Sequence, residues 1–238
     1  MSAPKQKSAM KENQLLARLP DAEKERLAPY LEPVFLEFKQ GLLQEGEPIE
    51  YVWFPHDCVT STVVGTPNGH TIEVGIMGIE GLVGLSLVLG EERSNTTVFT
   101  QIPGSATRMR AGAFTRHVKG EGGPLYDLLQ RYTNVFMALI AQGAACNSLH
   151  PVDERMCRWI LLVQGRVGRD EFPLTHEFLS MMLGVRRAGV SKVANELKLD
   201  GLINYTRGDI RILDREGLEG RSCECYELMK KTSESHLR

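Results

Sequence analysis

At 238 residues and 42% hydrophobic side chains, the chain can bury one large core or two smaller ones. A net charge of −2 excludes a strongly basic coat for non-specific nucleic-acid binding, and no apolar run reaches the 18 or so residues of a membrane span. Five scattered cysteines (Cys58, Cys146, Cys157, Cys223, Cys225) argue against a disulfide framework and for reduced thiols.

The opening MSAPKQKSAMKENQ is charged with no following apolar stretch, unlike a secretory signal, so a cytoplasmic protein is expected. Residues 13–31 carry Leu15, Leu16, Leu19, Leu27 and Leu31 at helical spacing, broken at Pro20-Asp21, and read as two short helices. From Val34 to about Arg110 the texture is short alternating runs: VFLEFK (34–39), EYVWF (50–54), VTSTVV (59–64), HTIEVGIM (70–77), TTVFTQI (96–102) and ATRMR (106–110). With an Asn-Gly turn signal in TPNG (66–69), this predicts an antiparallel barrel or jelly-roll-like β-roll over 13–121.

Over 122–150 the pattern turns helical. Leu125, Leu129, Tyr132, Phe136, Leu139, Gly143 and Cys146 step by fours and threes, the seam of a helix meeting a partner helix. A stripe covering the chain's own β domain is the alternative, but the small residues at 143–145 favour a dimer contact. A further helix starts after Pro151, with Asp153 as expected N-cap and Met156, Trp159, Ile160 and Val163 on one face. GRVGRDEFP (165–173) reads as a break.

Thr175 can cap a helix over 176–183, which Gly184 ends. A second helix over 187–198 has Val190, Val193, Ala194 and Leu197 on its core side and Ala188, Ser191, Lys192 and Asn195 opposite, with Arg187 at the shoulder. Two helices around a short glycine turn form a helix-turn-helix, whose second helix enters the major groove N-terminus first. Arginine there matches the O6/N7 edge of guanine, and a lysine one turn on suits phosphate or guanine. LINYTRGDIRIL (202–213) reads as a hairpin with Arg207 at its tip, the wing of a winged helix over 151–238. Residues 1–150 hold 13 Lys+Arg against 16 Asp+Glu, and 151–238 hold 15 against 14, so binding rests on a small geometric site.

No Gly-x-Ser-x-Gly, paired metal-binding histidines or nucleotide loop is present, so no catalytic residue is expected and the chain is read as a non-enzyme. Cys223 and Cys225 are the only close cysteine pair, and they lack a second pair at zinc-like spacing, so no metal or cofactor is expected. The competing reading is an enzyme or a ligand-binding β-barrel module whose helical C-terminus contacts a protein partner.

The order of parts resembles the Crp/Fnr superfamily of bacterial transcription regulators over nearly the whole chain. LLQEGEPIEYVWFP (42–55) is similar to the first β-roll hairpin, and GIEGLVGLSLVLGEERS (78–94) sits where the phosphate-binding cassette belongs. LTHEFLSMMLGVRRAGVSKVANELKLDGLI (174–203) is similar to the DNA-binding motif. The resemblance implies an α+β chain of cyclic-nucleotide-binding-like β-roll, dimerisation helix and winged helix-turn-helix. It further implies a homodimer on two-fold-symmetric double-stranded DNA, with RNA polymerase as a candidate further partner. Arg187 would read guanine, Lys192 would touch base or phosphate, and Thr175, His176 and Arg186 would touch phosphates, with Ser191 and Arg207 completing the interface. Gly81, Arg93 and Ser94 would fall at the effector site. Leu82 stands where cyclic-AMP-binding members place a ribose-binding glutamate, and a leucine cannot accept that hydrogen bond. Cyclic AMP is therefore disfavoured, and any effector is unknown. His56 and His70 are single histidines and do not support haem.

Overall fold

The computed structural model describes residues 12–67, 69, 71–206 and 208–235. Two short helices open it, α1 (Gln14–Ala17) and α2 (Asp21–Leu27), separated at Pro20 as expected. Seven strands follow: β1 (Glu32–Leu36), β2 (Gly41–Leu43), β3 (Tyr51–Pro55), β4 (Val59–Gly65), β5 (Thr71–Met77), β6 (Thr97–Ile102) and β7 (Gly104–Arg110). A short helix α3 (Leu85–Leu89) interrupts them between β5 and β6. They pair into two antiparallel sheets, β1-β7-β3 and β2-β6-β4-β5. Strand β2 overlaps the stretch that resembles the first β-roll hairpin, although no alternating run marks it as a strand. Three residues are too few to show an alternation.

After α4 (Ala111–Phe114) comes the long helix α5 (Pro124–Leu149), then α6 (Val152–Val167). The C-terminal part comprises β8 (Glu171–Pro173), α7 (His176–Leu183), α8 (Arg187–Leu199), β9 (Ile203–Thr206), β10 (Asp209–Ile212), α9 (Arg215–Arg221) and α10 (Cys225–Ser235). The wing is a three-stranded sheet, β8-β10-β9. Its outer strand β8 lies inside the stretch read as a plain break, because Phe172 pairs with Ile210 and is buried. The cap of α6 also differs. Pro151 is the N-cap residue and Asp153 sits inside the first turn, where its charge favours the helix dipole.

The seam of α5 is corrected. Leu125, Leu129, Tyr132 and Phe136 are buried in the chain's own β-roll core, and Cys146 is buried against Cys223 near α10. A Cβ on Gly75 of β5 would lie 2.8 Å from the Phe136 ring, and one on Gly81 would overlap the Tyr132 hydroxyl. Both glycines let α5 lie flat on the sheet. The periodicity identified an apolar face correctly but not what covers it. The exposed residues of α5 include Gln130, Arg131, Asn134, Met137, Ala138, Ala141, Ala144 and Ala145.

Two large cores result. One fills the β-roll under α1, α2 and the first half of α5. The other crosses the domain boundary, joining Val59, Val63, Ile76 and Ile102 of the sheet to Trp159, Phe178, Met182 and the rest of the winged domain. Phe178 of α7 packs between Phe38 and Phe99, each with ring centroids 5.9 Å away. Two buried polar contacts lie on the same boundary. Arg166 of α6 meets Glu80 at 2.8 Å, and Trp159 Nε1 donates to Glu73 of β5 at 2.8 Å.

Candidate nucleic-acid interface

The two helices fold as their sequence dictates. Thr175 Oγ1 accepts from the Phe178 N–H at 3.1 Å, capping α7, and Gly184 ends it at φ +63°, a conformation that L side chains rarely adopt. Val190, Val193, Ala194 and Leu197 anchor α8 in the core. That leaves Arg186, Arg187, Ala188, Gly189, Lys192 and Asn195 exposed on one surface. Arg186 is the N-cap residue and supplies no side-chain cap, so the first N–H groups of α8 keep their positive character. A Cβ on Gly189 would meet nothing within 4 Å. The chain's own packing does not demand glycine there, and the small residue keeps the outer surface low beside the two arginines. Lys192 is 78% exposed and lies 3.9 Å from Glu196, a weak pair that a phosphate can displace.

Three expected contact residues, the exposed Thr175 and the half-buried His176 and Ser191, also make contacts within the protein. The Thr175 hydroxyl is occupied by its cap. His176 Nδ1 lies 2.9 Å from Ser191 Oγ, and its ring packs on Tyr205 at 4.5 Å. Burial, then the nearby Arg187 guanidinium, hold the His176 pKa below the ordinary imidazole value, so the ring is neutral at pH 7. His176 and Ser191 thus clip α7, α8 and the wing together, and sequence spacing could not distinguish that clip from a phosphate contact. The wing is tied to the start of α7 as well, by Leu174 N–H to Gly208 O at 2.7 Å and by Tyr205 Oη to Leu174 O. Arg207 lies outside the described residues.

Gly81, Arg93 and Ser94 each contact other parts of the chain. Gly81 sits under Tyr132, Arg93 donates to Gly46 O at 2.7 Å, and the buried Ser94 hydroxyl donates to Thr96 O at 2.6 Å. All three join the cassette to its surroundings. A cleft of roughly 700 Å³, open mouth included, lies between the sheet and α5, with Gly84, Leu85, Ser86 and Leu89 of the cassette in its lining. Val74, Met77, Val98, Phe136 and Ile140 supply its apolar walls, with Thr62 and Asn95 among its polar residues. Among the described residues, no arginine or lysine lines it.

Residues 154–221 match the family model described as the Crp-like helix-turn-helix domain. This segment is similar to that domain along its whole length from α6 to α9. No curated protein matches the chain. Among solved structures, a CRP-family transcriptional regulator from Thermus thermophilus shares 17% identity at TM-score 0.65, covering 82% of this chain and 99% of that one. FixK2 from Bradyrhizobium japonicum shares 14% at TM-score 0.64, covering 81% and 98%. The c-di-GMP-responsive regulator CLP of Xanthomonas campestris shares 12% at TM-score 0.64, covering 81% and 99%. The chain therefore has the Crp/Fnr fold from β-roll to wing, and α8 is the second helix of its Crp-like helix-turn-helix. Among the described residues, no helix is long and apolar enough to cross a membrane.

Proposed function

We propose that the chain is a sequence-specific, homodimeric DNA-binding transcription regulator that lays α8 in the major groove. The observation that carries this reading is the division of α8: four residues locked in the core, and Arg187, Ala188, Lys192 and Asn195 presented together on the outside. Arg187 reads a guanine, while Arg186 and Lys192 hold phosphates. Two copies of α8, set about one helical turn (~34 Å) apart, read a two-fold-symmetric site. The exposed Met137, Ala138, Ala141 and Ala145 of α5 supply the apolar, low-profile surface on which a second copy packs. The β-roll cleft, with no cation to balance a phosphate, suits an uncharged and largely apolar effector rather than a cyclic nucleotide.

Selection of bound fragments from sheared genomic DNA tests this reading. Wild type enriches a symmetric motif, and its affinity falls steeply with added salt. Arg187→Ala loses about 1–3 kcal/mol of discrimination at one base position per half-site. Arg186→Ala weakens all sequences alike. A uniform loss with Arg187→Ala would place the base-reading position elsewhere, and a monomeric mass by light scattering would remove the dimer.

A further inference from the structure

The C-terminal end of α5 and the start of α10 bring four metal-binding side chains to one point. Cys146 and His150 lie one turn apart at the end of α5, and Cys223 and Cys225 flank Glu224 at the N-terminus of α10. Their ligand atoms, one per residue, all lie within 4.8 Å of one another. Cys146 Sγ is 3.5 Å from Cys223 Sγ, though 77 residues separate them in the chain, and Cys225 Sγ is 3.7 Å from His150 Nδ1. The three cysteines are buried, and the His150 side chain is 15% exposed.

From this geometry we infer a structural zinc site, Cys146–His150–Cys223–Cys225, that fastens the C-terminal helix α10 to the long helix α5. Zinc bound tetrahedrally to sulfur at about 2.3 Å and nitrogen at about 2.0–2.1 Å requires ligand–ligand edges of roughly 3.5–3.8 Å. The two measured edges already have that length, before any metal draws the side chains together. An iron–sulfur cluster needs its cysteines spread around several irons, wider than this nest allows. Four protein ligands close the coordination sphere and leave no open position, which makes the site structural and not catalytic.

The surroundings match a metal centre too. His150 Nε2 lies 3.2 Å from Glu224 Oε1, the carboxylate–histidine arrangement that orients an imidazole toward a metal and raises its basicity. Gln142 Nε2 donates to Cys225 Sγ at 3.1 Å, as suits a thiolate. The expectation that Cys223 and Cys225 are ordinary thiols is therefore revised. The second pair that sequence spacing lacked is a Cys-x-x-x-His on another helix.

The test is metal analysis of the full-length protein purified under reducing conditions without chelator. About one zinc per chain is expected, falling at least tenfold in Cys225→Ser and in His150→Ala, while Cys157→Ser, at a buried thiol outside the cluster, keeps it. Should those variants fold poorly, cobalt substitution of the wild type reads the site directly, through thiolate-to-cobalt charge transfer and the intense visible bands of a tetrahedral ion. Glu224→Gln retains the ion but yields it to a competing chelator 10–100-fold more readily. Failure of wild type to bind zinc or cobalt, iron with acid-labile sulfide in its place, or a Cys146–Cys223 disulfide that persists in reductant would each overturn the assignment.

Discussion

Arg166→Met is expected to lower the stability of the chain by about 3–5 kcal/mol. The Arg166 guanidinium donates to Glu80 Oε1 through both Nε and Nη2 at 2.8 Å, and to Leu162 O at 2.9 Å, with both side chains of the pair only 8% exposed. The Arg166 stem runs directly over Gly78, where a Cβ would come within 2.8 Å of it. Removing the cation leaves the Glu80 carboxylate buried without its guanidinium, and desolvation of that charge is the larger part of the loss. The double variant Arg166→Met/Glu80→Leu recovers most of it, because a buried ion pair replaced as a whole by apolar groups is often close to neutral. Urea unfolding at pH 7 measures both, as a drop in midpoint with unchanged slope. A double variant as unstable as the single one would show that the pair, and not the buried Glu80 charge left by Arg166→Met, carries the stability.

The second large effect depends on pH. Complete burial pushes the Glu73 carboxyl up from the ordinary carboxylate range to about 7, against weaker opposing pulls from Ser61, Trp159, Arg158 and Arg166. The folded chain thus keeps a proton that the unfolded chain releases near pH 4.5. Folding takes up a proton throughout the interval between these values, so the stabilisation is complete below about 4.5, declines as pH rises, and is gone above about 7. The full swing is about 3 kcal/mol. Glu73→Gln reproduces the protonated acid: its carbonyl accepts from Trp159 Nε1 and its amide donates to Ser61 Oγ, which lies 2.6 Å from the wild-type carboxyl. The variant should match wild type at about pH 3.5, below the unfolded value, and exceed it at pH 8 by about the same 3 kcal/mol. Parallel stability curves for the two proteins would show that Glu73 does not titrate in this interval.

Legibility in the sequence followed the range of the interactions. The α7–turn–α8 unit was readable to within a residue because its cap, its left-handed glycine and its core spacing are all local to one short segment. The β9–β10 hairpin was equally local, whereas β8 was missed because Phe172 owes its place to Ile210, far down the chain. On the helix-turn-helix, the pattern separated the buried side of α8 from the exposed Arg186, Arg187 and Lys192. It could not place His176 and Ser191, since a polar residue on a helix can face DNA or another polar residue with the same spacing. The cassette shows the same limit: Arg93 and Ser94 sit in a recognisable motif, and spacing alone does not show that they donate to the Gly46 and Thr96 carbonyls. The Cys146–His150–Cys223–Cys225 cluster was invisible because local spacing reports only half of a site divided between two helices.

The packing of Phe178 has a mechanical corollary. Helix α8 has 13 residues and is about 20 Å long. A tilt of roughly 10° about its N-terminal end would carry the far end of α8 about 3.4 Å, the rise of a single base pair, and leave Arg187 near its place. A shift of the rings around Phe178 would therefore change the angle at which α8 lies before it changes which base Arg187 faces.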